Sequence, residues 1–121
     1  MHEDKIYVVA GNSADTNKYW YRVYRDIKNY GWKVFCINPK TEEVDSDRIY
    51  PDFQSLPHQG NVLILVTRPE VSALLADEAM ALGYKEICFQ PGAYSEEAAA
   101  KARHAGLIVH HECFMLTNSL W

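Results

Sequence analysis

Short apolar runs alternate with amphipathic helical patterns along this 121-residue chain, and this alternation restricts its fold more than any other feature. Three of the helical patterns end at a glycine, and an apolar run typical of a buried strand begins a few residues later. Glycine readily adopts the left-handed conformation in which many helices end. Strands that alternate with helices form βαβ units around a parallel sheet, so the pattern predicts an α/β protein. The three glycines are Gly31, Gly83 and Gly106.

The pattern predicts five strands, at residues 5–10, 33–37, 62–66, 86–89 and 107–109. Right-handed crossovers favour a doubly wound, Rossmann-like parallel sheet with the strand order 3-2-1-4-5 and helices on both faces. In such a sheet the ligand crevice lies beyond the carboxyl ends of the strands, where the strand order reverses. We expect this point between the first and fourth strands. The loops that would face the crevice are 11–17, 38–40, 67–69 and 90–94.

Capping residues and apolar spacing define the three predicted helices. Thr67 and Glu70 have the spacing of a capping box at the start of the second helix. Ser95 is expected to cap the third helix, and it precedes two acidic residues that the helix dipole favours. The apolar sides of the first two helices are expected to face the core. They are Trp20, Val23, Tyr24 and Ile27 on a helix over 18–30, and Val71, Leu74, Leu75, Ala79 and Leu82 on the next.

Composition argues against several classes of protein. The formal net charge of −4 argues against a general nucleic-acid binder, which needs clustered positive charge. No apolar run approaches the roughly 18 residues that a membrane span requires, and the acidic first four residues do not resemble a signal peptide. Three cysteines, an odd number, favour a reducing compartment. We therefore expect one cytoplasmic domain over residues 1–121.

The first predicted strand runs directly into Gly11, Asn12 and Ser13, and a helix follows a few residues later. A strand, a glycine turn and a helix N-terminus form an anion site, because backbone N–H groups converge where the helix dipole is positive. We therefore expect this loop to bind phosphate, with an ordinary βα turn as the alternative. The dinucleotide fingerprint needs glycines where Ser13 and Thr16 stand, so the match to an NAD site is poor.

The end of the second strand distinguishes between nucleotides. NAD sites usually place an Asp or Glu there, about 20 residues after the glycine turn, to bind the ribose 2′-hydroxyl. This chain has Asn38, Pro39 and Lys40 instead. A lysine pairs with a phosphorylated ribose, which occurs in NADP and in coenzyme A. The alternative is that Lys40 is an ordinary solvated surface residue.

Three further cations are expected at the same edge of the sheet. Lys18 and Arg22 are four residues apart on the first helix and therefore share one face, and Arg68 follows the third strand. Together with Lys40 they would concentrate positive charge for a polyphosphate ligand in an otherwise acidic protein. The alternative for Arg22 is an ion pair with Asp26 on the helix surface.

Segments along nearly the whole chain, in one order, resemble the small single-domain CoA-binding proteins. These are free-standing relatives of the nucleotide domain in the α subunit of succinyl-CoA synthetase. The resemblance implies a Rossmann-like fold that binds coenzyme A or an acyl-CoA at the carboxyl edge of the sheet. The segments are residues 9–13, 21–23, 34–40, 50–51, 67–70, 90–93 and 95–98, and the closing His-Glu-Cys at 111–113.

The same resemblance implies four groups of cofactor-binding residues around the ligand crevice. The first surrounds the pyrophosphate and the second borders the adenosine and its phosphates. The third lines the next wall of the crevice, and the fourth closes its far side. In that order they are Gly11, Asn12, Ser13 and Lys18, then Asn38, Pro39 and Lys40, then Thr67 and Pro69, then Gln90, Pro91 and Gly92. Arg22 and Arg68 join them from the charge argument. Lys18 stands where the family usually has arginine. Tyr19 and Trp20 are bulky where small residues are common.

No catalytic motif is recognisable, so the sequence favours a non-enzymatic binding module for coenzyme A or an acyl-CoA. An NADP-dependent oxidoreductase is one alternative, because Lys40 would suit that cofactor as well. A redox-responsive interaction protein is another, in which Cys113 forms a mixed disulfide with the CoA thiol. Cys36 and Cys88 lie within predicted strands and are expected in the core.

The C-terminal segment adds two expectations. Residues 110–113 read His-His-Glu-Cys, but neighbouring strand positions point to opposite faces, so they are not expected to share a metal ion. The apolar residues at 114–116 and 120–121 are expected to pack on the sheet or on a second subunit. The family resemblance implies a homodimer, and the ligand expected is a nucleotide-type small molecule.

Overall fold

A computed structural model describes residues 5–15 and 17–120, so Thr16 of the first loop and residues 1–4 and 121 lie outside the described ranges. The strands are β1 (Tyr7–Ala10), β2 (Val34–Ile37), β3 (Glu43–Val44), β4 (Asp47–Arg48), β5 (Val62–Leu65), β6 (Glu86–Phe89) and β7 (Ile108–His111). The helices are α1 (Tyr19–Asn29), α2 (Pro69–Ala81), α3 (Glu96–His104) and α4 (Phe114–Thr117). No helix within these ranges is long and apolar enough to cross a membrane.

Five of the strands form one parallel sheet in the order β2-β1-β5-β6-β7. The predicted class is confirmed, since the chain is an α/β, Rossmann-like, doubly wound sheet with helices on both faces. One strand differs from its expected place in the 3-2-1-4-5 order. The third strand of the sheet, β5, pairs directly with β1 and does not lie beyond β2, which gives 2-1-3-4-5. The strand order therefore reverses between β1 and β5.

The connection from β2 to β5 explains this placement. It carries no long helix, but a β3–β4 hairpin and a 3₁₀ turn at Phe53–Ser55. Phe53 packs with Val8 on the α2 side of the sheet. A right-handed crossover on that face moves the chain in the opposite direction from the β1–α1–β2 unit, so β5 reaches the free side of β1. On the way, Tyr50 N donates to Cys36 O at the outer side of β2, over 3.0 Å.

One face of the sheet is covered by α1 and α4. The predicted apolar stripe of α1 is confirmed, since all four of its residues are buried. The apolar C-terminal segment folds onto the same face of its own chain, where Phe114 and Met115 are buried and Leu116 is 64% exposed. Trp121, the last residue of that segment, lies outside the described ranges.

The start of α2 corrects the predicted capping box. Arg68 is the N-cap residue, and Thr67 lies one position earlier with its hydroxyl 2.7 Å from Ser72 Oγ. Both residues are buried, and their hydroxyl groups form a hydrogen bond with each other inside the protein. Neither hydroxyl accepts a hydrogen bond from the first amides of the helix. The first turn of α2 therefore has no side-chain cap.

The buried side of α2 also differs from the predicted one. Ser72, Ala76 and Ala79 face the core, whereas Leu74 is 68% exposed and Leu82 is 38% exposed. The neighbouring helix α3 likewise buries only alanines. Small side chains let the two helices and the sheet pack closely, and this packing overrides the apolar periodicity of the sequence.

Helix ends agree with the sequence elsewhere. Ser95 Oγ accepts a bond from Ala98 N at 3.2 Å, as predicted for the cap of α3. Gly31, Gly83 and Gly106 follow the ends of α1, α2 and α3 with φ of +89°, +89° and +91°. This left-handed conformation strongly favours glycine, which explains the repeated helix–glycine–strand pattern.

Candidate binding cleft

A cleft of about 770 Å³ opens at the carboxyl ends of β1, β5 and β6, which are adjacent in the sheet. It includes the β1–β5 boundary, where the strand order reverses and where open α/β sheets bind ligands. Small-molecule sites have volumes of about 300–1,000 Å³, so the cleft has an appropriate size. The residues that line it are Asn12, Ser13, Lys18, Tyr19, Trp20, Val66, Thr67, Arg68, Pro91, Gly92 and Ala93.

The turn after β1 forms one wall of the cleft, and Gly11 lies directly behind that wall. Gly11 N donates to Ile37 O at 2.9 Å, which fixes the turn to β2. A Cβ at residue 11 would lie 2.6 Å from Trp20 Cγ, so glycine allows the first turn of α1 to approach β1. Trp20 Nε1 in turn donates to Asp15 O at 3.2 Å and holds the loop against the helix. Gly11 thus positions the wall without lining the cleft.

Two helix N-termini meet at the cleft. The N-cap residues are Lys18 of α1 and Arg68 of α2, and neither makes a side-chain cap hydrogen bond. No acidic residue occupies the first turn of α1. The first amides of a helix lack internal acceptors and carry partial positive charge. The first turn of α2 contains Glu70, so an anion bound in the cleft would supply the negative charge that the first turn of α1 lacks.

The predicted cations reach the cleft to different extents. Lys18 and Arg68 line it, while Arg68 Nε also lies 3.3 Å from Glu70 on the exposed surface. Arg22 does not line it and lies 3.9 Å from Asp26, which is the alternative that the sequence allowed. Among the described residues, no carboxylate forms an ion pair with the ammonium group of Lys18.

The Asn38–Pro39–Lys40 segment braces the turn after β1 from the side of β2. Asn38 is fully buried, and its Nδ2 donates to Ser13 O at 2.8 Å while its Oδ1 accepts from Lys40 N at 3.0 Å. Thr41 Oγ1 also donates to Ser13 O, over 3.2 Å. Pro39 and Lys40 are exposed beside the turn and outside the cleft lining. Lys40 therefore lies at the same edge of the sheet as the glycine turn.

Gln90 faces away from the cleft. It is fully buried, its Nε2 donates to Glu112 O at 3.3 Å, and its Oε1 accepts from Phe114 N at 3.1 Å. The side chain thus joins the end of β6 to the start of α4. The next two residues, Pro91 and Gly92, do line the cleft, whereas Pro69 begins α2 behind it.

Four lining residues were absent from the predicted binding set. Tyr19 and Trp20 follow Lys18 at the helix start, but the sequence marks Tyr19 only as bulky and places Trp20 on the apolar side of the helix. Val66 ends an apolar run and Ala93 ends a turn, so both resemble core residues in the sequence. Apolar residues that line a cleft carry no sequence signal of their own, and only the sheet order brings them together.

The three cysteines lie in two kinds of environment. Burial raises the pKa of the Cys36 and Cys88 thiols well above the usual range, as suits the predicted core residues. Cys113 is only partly buried, and its Sγ lies 3.2 Å from the hydroxyl of Tyr19. Burial first, and then this hydrogen bond, raise the pKa of Tyr19 to about 12. A free thiol thus contacts a residue of the cleft wall.

Comparison with known proteins identifies the family. A family model described as a CoA binding domain matches residues 5–119. A hypothetical protein from Pyrococcus horikoshii has 31% identity and a TM-score of 0.84, covering 95% of this chain and 81% of that one. A conserved hypothetical protein from Pyrococcus furiosus has 30% identity and a TM-score of 0.83, and the match covers 93% of this chain and 98% of that one.

A curated relative has coenzyme A in its name. The α subunit of acetate–CoA ligase (ADP-forming) II from Pyrococcus furiosus is 34% identical over 59 residues. The match spans 48% of this chain and only 13% of the relative, so it concerns a small part of a much longer protein. The family match itself extends over nearly all of the described residues. The chain therefore belongs to the CoA binding domain family.

Proposed function

We propose that the cleft binds coenzyme A or one of its thioesters, without catalysing a reaction. The observation that carries the proposal is the meeting of two uncapped helix N-termini at the point where the strand order reverses. One of them has Lys18, which forms an ion pair with no carboxylate in the part of the chain that the structure describes. Such a site stabilises a pyrophosphate group. Membership of the CoA binding domain family and the similarity to a CoA ligase subunit favour coenzyme A among the pyrophosphate-containing ligands.

Different parts of the ligand would contact different walls of the cleft. Asn12, Ser13 and Lys18 would hold the pyrophosphate through amides and charge. Lys40 would pair with the ribose 3′-phosphate from the adjoining loop, which the Asn38 hydrogen bonds fix beside the turn. The apolar side chain of Val66 would contact the uncharged arm of coenzyme A that carries the thiol.

Isothermal titration with coenzyme A and dephospho-CoA tests this assignment, with ionic strength held constant because screening affects every charged contact. A hydrogen bond to a charged group contributes about 1.5–3 kcal/mol, so Lys18→Gln should weaken both ligands by about 10- to 150-fold. Lys40→Gln should weaken coenzyme A alone and bring the two affinities together. Lys33→Gln is the matched control, since Lys33 precedes β2 at the opposite edge of the sheet.

Two results would refute the proposal. Failure of the wild-type protein to bind coenzyme A at millimolar concentration would exclude the ligand. Equal affinity of the wild-type protein for coenzyme A and dephospho-CoA would show that Lys40 does not contact the 3′-phosphate. Titration with NADPH in the same series examines the oxidoreductase alternative, which requires that this nucleotide binds.

A second candidate function follows from the contact between Cys113 and Tyr19. The Cys113 thiolate would attack the disulfide of oxidised coenzyme A, form a Cys113–CoA mixed disulfide and release one CoA thiolate. Intact mass measurement after incubation with CoA disulfide should then show one adduct that dithiothreitol removes and that Cys113→Ser lacks. An unmodified wild-type mass would exclude this reaction. The cytoplasmic location and the homodimer stay predictions.

A further inference from the structure

We propose that Glu86, Cys88 and His110 form a binding site for a thiophilic divalent cation such as Zn²⁺. Cys88 and His110 are register partners in β6 and β7, and Glu86 precedes Cys88 by two residues on the same strand. Alternation along a strand therefore puts all three side chains on one face of the sheet. One ligating atom from each lies within 4.8 Å of the other two.

These separations are close to those of a tetrahedral site. Zn²⁺ bonds of about 2.0–2.3 Å put the ligand atoms about 3.3–3.8 Å apart. Glu86 Oε2 and His110 Nε2 are 2.7 Å apart and share a proton in a hydrogen bond. A cation can take the place of that proton when the two side chains rotate slightly apart and approach Cys88 Sγ.

Two neighbouring charges orient the ligand atoms. Glu112 Oε1 lies 3.4 Å from His110 Nδ1, and Lys5 Nζ lies 3.2 Å from Glu86 Oε1. A carboxylate beside Nδ1 favours the tautomer that is protonated there, which leaves Nε2 as the metal ligand. Lys5 occupies one carboxylate oxygen and leaves the other available to the cation.

The surroundings favour a zinc-like ion. Cys88 is 1% exposed and burial raises the pKa of its thiol, but a coordinating cation deprotonates a thiol and the proton passes to solvent. The Cys88 thiolate and the Glu86 carboxylate then neutralise the double positive charge. Thiolate and imidazole ligands select Zn²⁺ over Mg²⁺ or Ca²⁺. A cavity of about 90 Å³ borders all three residues and has room for a water as fourth ligand.

This site differs from the metal arrangement that the sequence argued against. Residues 110–113 are consecutive and alternate between faces, whereas pairing of β6 with β7 puts His110 beside Cys88. The site lies on the face covered by α1 and α4 and shares no residue with the cleft lining. Metal binding and coenzyme A binding can therefore be tested independently.

Titration of the untagged, metal-free protein with Co²⁺ tests the site. We expect one Co²⁺ per chain, a thiolate-to-cobalt charge-transfer band in the near ultraviolet, and loss of that band when Zn²⁺ is added. Cys88→Ser should abolish the band, and His110→Gln should weaken Co²⁺ binding at least about tenfold. Glu112→Gln should keep the band but weaken binding by about tenfold, as expected of a positioning residue.

Matched variants separate this site from other ligands. Cys36→Ser removes another buried strand thiol, Cys113→Ser removes the partly exposed one, and His111→Gln removes the neighbouring imidazole. All three should retain the band. Absence of the band in the wild-type protein, its persistence in Cys88→Ser, or its loss in Cys113→Ser would overturn the proposal. If Cys88→Ser does not fold, His110→Gln provides the test, because that side chain is 34% exposed and tolerates substitution more easily.

Discussion

Replacement of Gly11 by alanine tests how the turn after β1 positions the cleft. A Cβ at residue 11 would lie 2.6 Å from Cγ and 2.7 Å from Cβ of Trp20. The φ angle of Gly11 is outside the left-handed region, so alanine would not strain the backbone there. The cost of the substitution comes from the steric clash with Trp20. Rotation of the indole ring cannot relieve the contact with Trp20 Cβ, because that atom is bonded to the α1 backbone. The start of α1 must therefore move away from β1.

The required movement sets the expected magnitude. Carbon atoms pack at about 3.5–4.0 Å, so the start of α1 has to move by about 1 Å. Overpacking of a close-packed site costs about 1–3 kcal/mol. For a domain of this size each kcal/mol lowers Tm by about 3–6 °C, and we expect a decrease of about 5–15 °C. The same displacement moves the Lys18 end of α1 relative to Asn12 and should weaken coenzyme A binding.

Thermal unfolding followed by circular dichroism and titration with coenzyme A are the two measurements. Gly31→Ala is the control, since a Cβ there meets nothing within 4 Å but the φ of +89° is unfavourable for alanine. Gly31 follows the far end of α1, so this variant should lose about 1–2 kcal/mol of stability and keep its affinity for coenzyme A. A Gly11→Ala protein with the Tm and the affinity of the wild type would refute the argument.

Three further variants test other parts of the structure. Ser95→Ala should lower the free energy of unfolding by about 1 kcal/mol through loss of the α3 cap, measured by urea titration. Asn38→Ala should cost about 1–3 kcal/mol and weaken coenzyme A binding, because it leaves Ser13 O with one hydrogen bond fewer; unchanged affinity would contradict the bracing role. Burial raises the pKa of Tyr84 from 10.0 to about 12. Its contribution to the free energy of unfolding is therefore complete below pH 10 and is lost as the pH rises towards 12. The share of Tyr84 in the slope of unfolding free energy against pH reaches about 1.4 kcal/mol per pH unit, and Tyr84→Phe should lower the slope by that amount in urea titrations between those pH values. Tyr19, whose pKa is also raised to about 12, keeps its own share.

Local chemistry explains which parts of the fold the sequence could predict. The strand over residues 86–89 has the same bounds in the structure, and Ser95 caps α3 as expected. Each of these features depends on a few adjacent residues, as does the left-handed glycine after a helix. The family resemblance extended over nearly the whole chain, and the family match over residues 5–119 confirms it.

Contacts between distant segments explain what the sequence could not predict. The residues of β5 are all apolar and would suit a position beside β1 or one beyond β2. The connection from β2, which has no long helix, determines that β5 pairs with β1. Asn38 and Gln90 are polar residues at the carboxyl edge, where the sequence favours contact with a ligand. Both turn inward because backbone groups that are distant in sequence, at Ser13 and Phe114, become their partners.

The two margins of the main sheet differ in a way that affects self-association. At the carboxyl end of β2 the outer side is covered, since Asn38 N donates to Tyr50 O at 2.8 Å and Tyr50 N donates to Cys36 O at 3.0 Å. At β7 no strand of the described chain adds to the outer side, and Ile108 is 57% exposed. A strand of another chain would therefore find a longer free edge at β7 than at β2. Pairing of one β7 strand with the β7 strand of a second copy would use this edge in both molecules, so that contact would close as a dimer.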